Sequence, residues 1–284
     1  MGINRPKSTE NIRSFLLFLV MMTALSLVPM LSHGAVFWDD EMEEGASEFS
    51  PAYLASTLIP NGVMAYDTSV KFSGNGSIRL NYPPACQTVT TQNQCGGSAE
   101  RAIPLTENLY RRVYFRMSGR GPNASASGLF EISVSAHTKM LSTSSTGLNM
   151  DWWAMGCCGS KTFNFAAENA PSPTKEIPFY SSITLGDNRW YCIETHEQLN
   201  TPGVANGVVQ AWVDGVLVLN KTGVMYRLAG NTNRWKSVGI FRQIGIGNVW
   251  WDRYATGDTR IGCSGVISQG DTSSPSIPSG VSAR

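Results

Sequence analysis

Beyond residue 34 no stretch of the chain carries the 3.6-residue apolar repeat of an amphipathic helix; short runs alternate instead, cut by Gly, Pro, Asn and Asp. A period of two sends successive side chains to opposite faces of a strand, so a chain patterned this way builds sheets. Segment 110–117, YRRVYFRM, sets Val113, Phe115 and Met117 against Tyr110, Arg112, Tyr114 and Arg116. Segment 129–140 sets Phe130, Ile132, Val134, Ala136 and Met140 against Glu131, Ser133, Ser135, His137 and Lys139. In 189–199, Trp190, Cys192, Glu194, His196 and Gln198 share one side, and either side can be the inward one. The run VVQAWVDGVLVLN predicts a hairpin with a type I′ turn at Asp214-Gly215, its first arm carrying Gln210 and Trp212 on one face. In 247–263, Val249 and Trp251 oppose Asn248, Trp250, Asp252 and Tyr254. The expected fold is an all-β sandwich.

The ends of the chain read differently. Arg5, Lys7 and Arg13 precede the apolar run 14–31, and small or turn-forming residues follow, which predicts a signal peptide over 1–34 cleaved after Gly34. Its loss leaves 19 basic and 20 acidic residues in the mature chain. No basic field exists to attract nucleic acid, and no stable membrane insertion is expected after cleavage. Residues 35–263 then form one domain, and 264–284, rich in Ser, Gly and Pro and free of aromatics, is expected to be a disordered tail. The expected location is secreted or periplasmic, where disulfides form. Cys86 and Cys95 flank a short polar loop, Cys192 and Cys263 end two strand-like runs, and Cys157 and Cys158 are adjacent. A local bridge between the first two and a strand-to-strand bridge between the second two are the simplest pairings; the vicinal pair leaves several. No paired CxxC or HxxxH supports zinc.

Five strands each present a face of charged, amide or aromatic side chains, with Trp and Tyr among them. Flat aromatic surfaces stack on sugar C–H groups while polar groups hydrogen-bond hydroxyls, so a polysaccharide or oligosaccharide is the expected partner.

The series FWDDEMEEG (37–45), KFSGNGSIRLNYP (71–83), LYRRVYFRMS (109–118), RWYCIETHEQLNTPGVANGVVQAWVDGV (189–216) and VWWDRYATGDTRIGC (249–263) resembles the concanavalin A-like jelly-roll superfamily, particularly its polysaccharide-lyase-like members, alginate and glucuronan lyases among them. The resemblance implies a two-sheet antiparallel jelly-roll sandwich, its sheets curved and one of them carrying a saccharide groove, and cleavage of uronate chains by β-elimination. That reaction needs a group to offset the carboxylate, a base for the C5 proton and an acid for the departing O4. Candidate catalytic residues are His196 as base, Tyr254 as acid, and Arg116 and Lys139 as electrostatic groups; candidate substrate-binding residues are Arg112, Tyr114, His137, Glu194, Gln198, Gln210, Trp212 and Trp250. Jelly-roll alginate lyases carry Gln-x-His on the site strand, whereas this chain has Glu194-Thr195-His196, a carboxylate that would repel a uronate. A glycosidase needs two carboxyls across the bond, and Glu194 and Glu197 lie on opposite faces of a regular strand. The alternative to an enzyme is a non-catalytic carbohydrate-binding module.

No cofactor is required by this chemistry. Asp40 and Asp252 are candidate oxygen ligands for a structural Ca2+ if the first and last strands pair. The segment with Trp152 and Trp153 reads as a loop or lid over one sheet end.

Overall fold

The computed structural model describes residues 36–43, 63–82, 96–118, 138–146, 151–157, 160–167, 170–171, 174, 179–243 and 247–263. The segment 1–34, the tail 264–284, His137, Cys86, Cys95 and Cys158 lie outside the described residues.

Fourteen strands are described: β1 (Val36–Asp40), β2 (Val63–Asp67), β3 (Ser77–Tyr82), β4 (Gly96–Thr106), β5 (Asn108–Ser118), β6 (Thr138–Ser145), β7 (Asp151–Cys157), β8 (Ser160–Ala167), β9 (Phe179–Tyr180), β10 (Trp190–Gln198), β11 (Gly207–Val213), β12 (Val216–Val224), β13 (Trp235–Gln243) and β14 (Gly247–Gly257). No helix occurs among the described residues. They form two antiparallel sheets, one of eight strands in the order β12-β11-β10-β5-β14-β3-β2 with β1 also on β14, the other of six in the order β4-β13-β6-β7-β8-β9. The architecture is the two-sheet sandwich that the alternation predicts.

The predicted hairpin forms: Asp214 and Gly215 both take positive φ, 50° and 82°, as a type I′ turn requires. The segment around Trp152 and Trp153 is not a lid. It is strand β7 in the middle of the six-stranded sheet, and Trp153 is fully buried, its ring against Phe163 and Phe165.

The core lies between the sheets. Val113, Phe115, Met117, Ile193, Val249 and Trp251 enter it from the larger sheet and Trp153, Phe163, Phe165, Trp235 and Ile240 from the smaller. Polar bonds cross the same layer. Arg111 Nη2 donates to Glu197 Oε1 at 2.6 Å and Nη1 to the Ser142 carbonyl at 2.6 Å, while Trp153 Nε1 donates to Glu197 Oε1 at 2.7 Å. These contacts fix the inward face of β5 and β10. Their remaining side chains, Tyr110 to Arg116 and Trp190 to Gln198 on alternate positions, stand on the outer face of the larger sheet.

Candidate functional site

Register aligns the outer-face side chains into rows. Tyr110 on β5 stands opposite His196 on β10, and His196 opposite Gln210 on β11, itself opposite Asn220 on β12. The next row holds Arg112, Glu194 and Trp212, and further along come Arg116, Trp190 and Trp250. The structure thus brings Arg112, Tyr114, Arg116, Glu194, His196, Gln210, Trp212 and Trp250 onto one face.

The first row is tightly organised. The rings of His196 and Tyr110 lie parallel, centroids 4.0 Å apart and planes 6° apart. His196 Nε2 is 2.7 Å from Asn108 Oδ1, and Nδ1 is 2.8 Å from Gln210 Oε1. The Asn108 amide N–H donates to the Asp258 carbonyl at 2.6 Å, so its oxygen is turned to the ring and accepts from Nε2–H. The Gln210 amide N–H likewise donates to Asn220 Oδ1 at 3.0 Å, which turns its oxygen to Nδ1, and that contact is a hydrogen bond when Nδ1 carries a proton. Burial lowers the His196 pKa below its ordinary value, outweighing the Gln210 contact and the charges of Glu197 and Glu194. Tyr110 shifts the other way, raised by burial and by Glu194 against the opposing pull of Arg260. Burial thus pushes these two neighbouring groups in opposite directions.

Glu194 does not line an open surface. It is fully buried, with Oε1 accepting from Ile261 N at 2.6 Å and Gly262 N at 3.0 Å and Oε2 accepting from Arg260 Nε at 3.1 Å. Its charge is absorbed by these donors, which removes the repulsion of a uronate expected from the sequence. Residues 258–263 do not extend the last strand, which ends at Gly257; they cross the outer face. Cys263 is bridged to Cys192, and its carbonyl accepts from Tyr114 Oη at 2.9 Å. The expected disulfide exists, joining a strand to a crossing segment rather than two strands.

Tyr254 departs from its expected place. Strand β14 carries a bulge between Asp252 and Ala255, with Arg253 at φ 47°, and the extra residue reverses the alternation. Tyr254 therefore points between the sheets, fully buried against the Trp38 ring at 5.3 Å, and burial pushes its hydroxyl up to about 12. It cannot serve the outer face. Lys139 lies on β6 of the other sheet, away from this face, and its side chain is outside what is described. Gln198 is exposed at the end of β10. Arg112 is consumed by Asp39, at 2.9 Å; Arg116 lies 6.0 Å from the Trp250 ring, whose Nε1 donates to Asp67. Tyr114 is covered by Phe72, stacked at 3.7 Å. The residues that the sequence reading did not nominate are Tyr110, Asn108, Asn220 and Arg260. Tyr110 was on the right face; the link between Cys192 and Cys263 is the signal that would have brought Arg260 to it.

Strands β1 and β14 do pair, and Asp40 and Asp252 each have partners within the protein. Asp40 accepts from Met42 N at 2.6 Å and lies 3.9 Å from Arg101. Asp252 accepts from Phe72 N and Ser73 N through Oδ2, while its buried Oδ1 has no hydrogen-bond partner. Burial pushes its carboxyl up to about 7, with the charge of Glu43 adding to the rise. Glu43 in turn accepts from Asn75 N at 2.8 Å, and a Cβ on Gly74 would fall on its Oε1. Among the described residues no three His, Cys, Asp or Glu side chains converge on one point. The orphaned Asp252 oxygen and the nearby charged carboxylate of Glu43 are hard oxygen donors of the type that suits Ca2+.

No protein-family model matches the chain, and no curated protein matches its sequence. Solved structures do match its fold. The cellulose-induced protein Cip1 superposes with a TM-score of 0.56 at 17% identity, over 80% of this chain and 100% of that one. The endo-β-1,4-glucuronan lyase of the fungus Trichoderma reesei superposes with a TM-score of 0.53 at 11% identity, over 79% of this chain and 96% of that one. The chain shares the two-sheet jelly-roll fold of these proteins.

Proposed function

We propose that the chain is an exported polysaccharide lyase that cleaves a uronate-containing glycan by β-elimination at the Tyr110–His196 stack. The observation that carries this reading is an imidazole and a phenol held in parallel contact, their centroids 4.0 Å apart, on the outer face of the larger sheet. Environments that push two neighbouring groups in opposite directions divide the acid and base roles between them. His196, with Nε2 committed to Asn108, takes the C5 proton at Nδ1 once Gln210 turns aside. The electrons of the C5–H bond form the C4–C5 double bond, the C4–O4 bond breaks, and Tyr110 gives its proton to O4. Transfer from His196 back to Tyr110 through solvent restores both. The glucuronan-lyase activity of a protein with the same fold supports a carbohydrate substrate by analogy of fold alone.

Incubation with a panel of uronate polymers, followed by the ultraviolet absorbance of the unsaturated product, tests this. His196→Ala and Tyr110→Phe should each lower kcat/KM by about 10²–10⁴-fold, and Tyr254→Phe should leave it within a few-fold of wild type. Because burial lowers the His196 pKa below its ordinary value, the acid limb of kcat/KM should lie at lower pH than an ordinary histidine would place it. Full activity of His196→Ala would refute the assignment of the base. The alternative, a non-catalytic carbohydrate-binding module, is favoured by the burial of His196 and the engagement of both its nitrogens; it predicts retardation in affinity gels with no rise in absorbance.

A structural Ca2+ belongs to the same proposal, with Asp252 and Glu43 as its carboxylate ligands. It would neutralise two acids and tie the segment after β1 to β14, outside the reaction.

A further inference from the structure

The segment Asp258–Cys263 is fastened along its length to the outer face. Asn108 Nδ2 holds the Asp258 carbonyl at 2.6 Å, Glu194 holds Arg260, Ile261 and Gly262, and the Cys192–Cys263 bridge and Tyr114 hold the last residue. Its one cationic side chain, Arg260, lies with the guanidinium carbon 4.6 Å from the centre of the Trp212 ring. Nε is committed to Glu194 and Nη2 reaches the Gly215 carbonyl at 3.4 Å, while the side chain stays 47% exposed. A guanidinium anchored by one edge and stacked on an indole presents its remaining N–H donors in a fixed fork, the geometry that recognises a carboxylate. The Trp212 and Tyr110 rings are 6.4 Å apart, so this fork stands beside the Tyr110–His196 stack, and its charge reaches the Tyr110 phenol.

We propose that Arg260, held by Glu194 and by the Cys192–Cys263 bridge, is the residue that reads the substrate carboxylate and makes the site select uronate glycans over neutral ones. This deepens the glycan reading above and rests on it for the class of ligand, though not on the elimination chemistry. It also gives Glu194 a role: a positioning residue that orients the guanidinium instead of meeting the sugar. A purely structural Arg260 would staple the crossing segment to Trp212 and make no distinction between polymers.

The test is affinity electrophoresis of the full chain in polyglucuronate and in the same polymer with its carboxyls reduced to alcohols. Wild type should be retarded more strongly by the acidic polymer. In Arg260→Gln the ratio of acidic to neutral affinity should fall roughly tenfold, with part of it restored in Arg260→Lys. The double variant Cys192→Ser/Cys263→Ser keeps Arg260 but frees the segment, and should lose the same preference while its melting temperature shows that it folds. An unchanged ratio in Arg260→Gln, or an equal loss on both polymers, would overturn the assignment of Arg260. Wild type unretarded in either polymer would overturn the glycan reading with it.

Discussion

At the scale of single residues, the site turns on which tyrosine faces outward. Strict alternation from Val249 carries Tyr254 to the polar side, and nothing in the letters of 249–257 marks the bulge at Arg253 that turns it inward. Tyr110, seven residues of unbroken strand from Arg116, needed only regular alternation to reach the right face, which is why that part of the site was legible. The apparent conflict of Glu194 with an acidic substrate also dissolves here, since its donors come from residues 66 to 68 positions away and no local pattern could show them. The Asp252 corner gives a residue-scale prediction. Ca2+ at pH 7.5 should raise the melting temperature of wild type and a chelator should lower it, whereas Asp252→Asn should respond to neither. A melting temperature indifferent to both treatments in wild type would dispose of the cation.

At the scale of elements, β10 works on both faces at once. Glu194 and His196 serve the outer side while Thr195 and Glu197 enter the core, where Arg111 is held by Glu197, by Thr195 Oγ1 at 3.2 Å and by the Ser142 carbonyl. Both charges of this pair are essentially inaccessible to water. Removing one partner leaves the other charge buried without its counterion, so Glu197→Ala should cost about 3–5 kcal/mol in urea unfolding. The double replacement Arg111→Met/Glu197→Leu should cost less than the single one, because no unpaired charge remains. A loss under about 1 kcal/mol for Glu197→Ala would mean that the pair is not buried as described. This pair explains why the inward side of 189–199 could not be chosen from sequence. A glutamate on the apolar side and a tryptophan on the polar side blur the hydrophobic contrast on which such a choice depends.

At the scale of the whole molecule, alternation and turn residues suffice for a two-layer sandwich, because hydrophobic burial asks only that one face of each strand be apolar. They do not say how much of the remaining face stays open. Phe72 and the crossing segment 258–263 cover Tyr114 and Glu194, the middle of the face, and the groups beyond them that reach solvent are Tyr110, Gln210 and Arg260, with His196 and Trp212 buried beneath. Long-range closure of this kind depends on a disulfide spanning 71 residues and on loops whose path a sequence does not encode in any period. The central claim is that this end of the face holds an acidic glycan, and titration of labelled protein with an oligoglucuronate, followed by NMR, addresses it directly. The account predicts saturable shifts of the Trp212 indole and the His196 and Tyr110 ring signals, with the Trp153 indole in the core unmoved. Shifts confined to other surfaces, or none at saturating sugar, would contradict it.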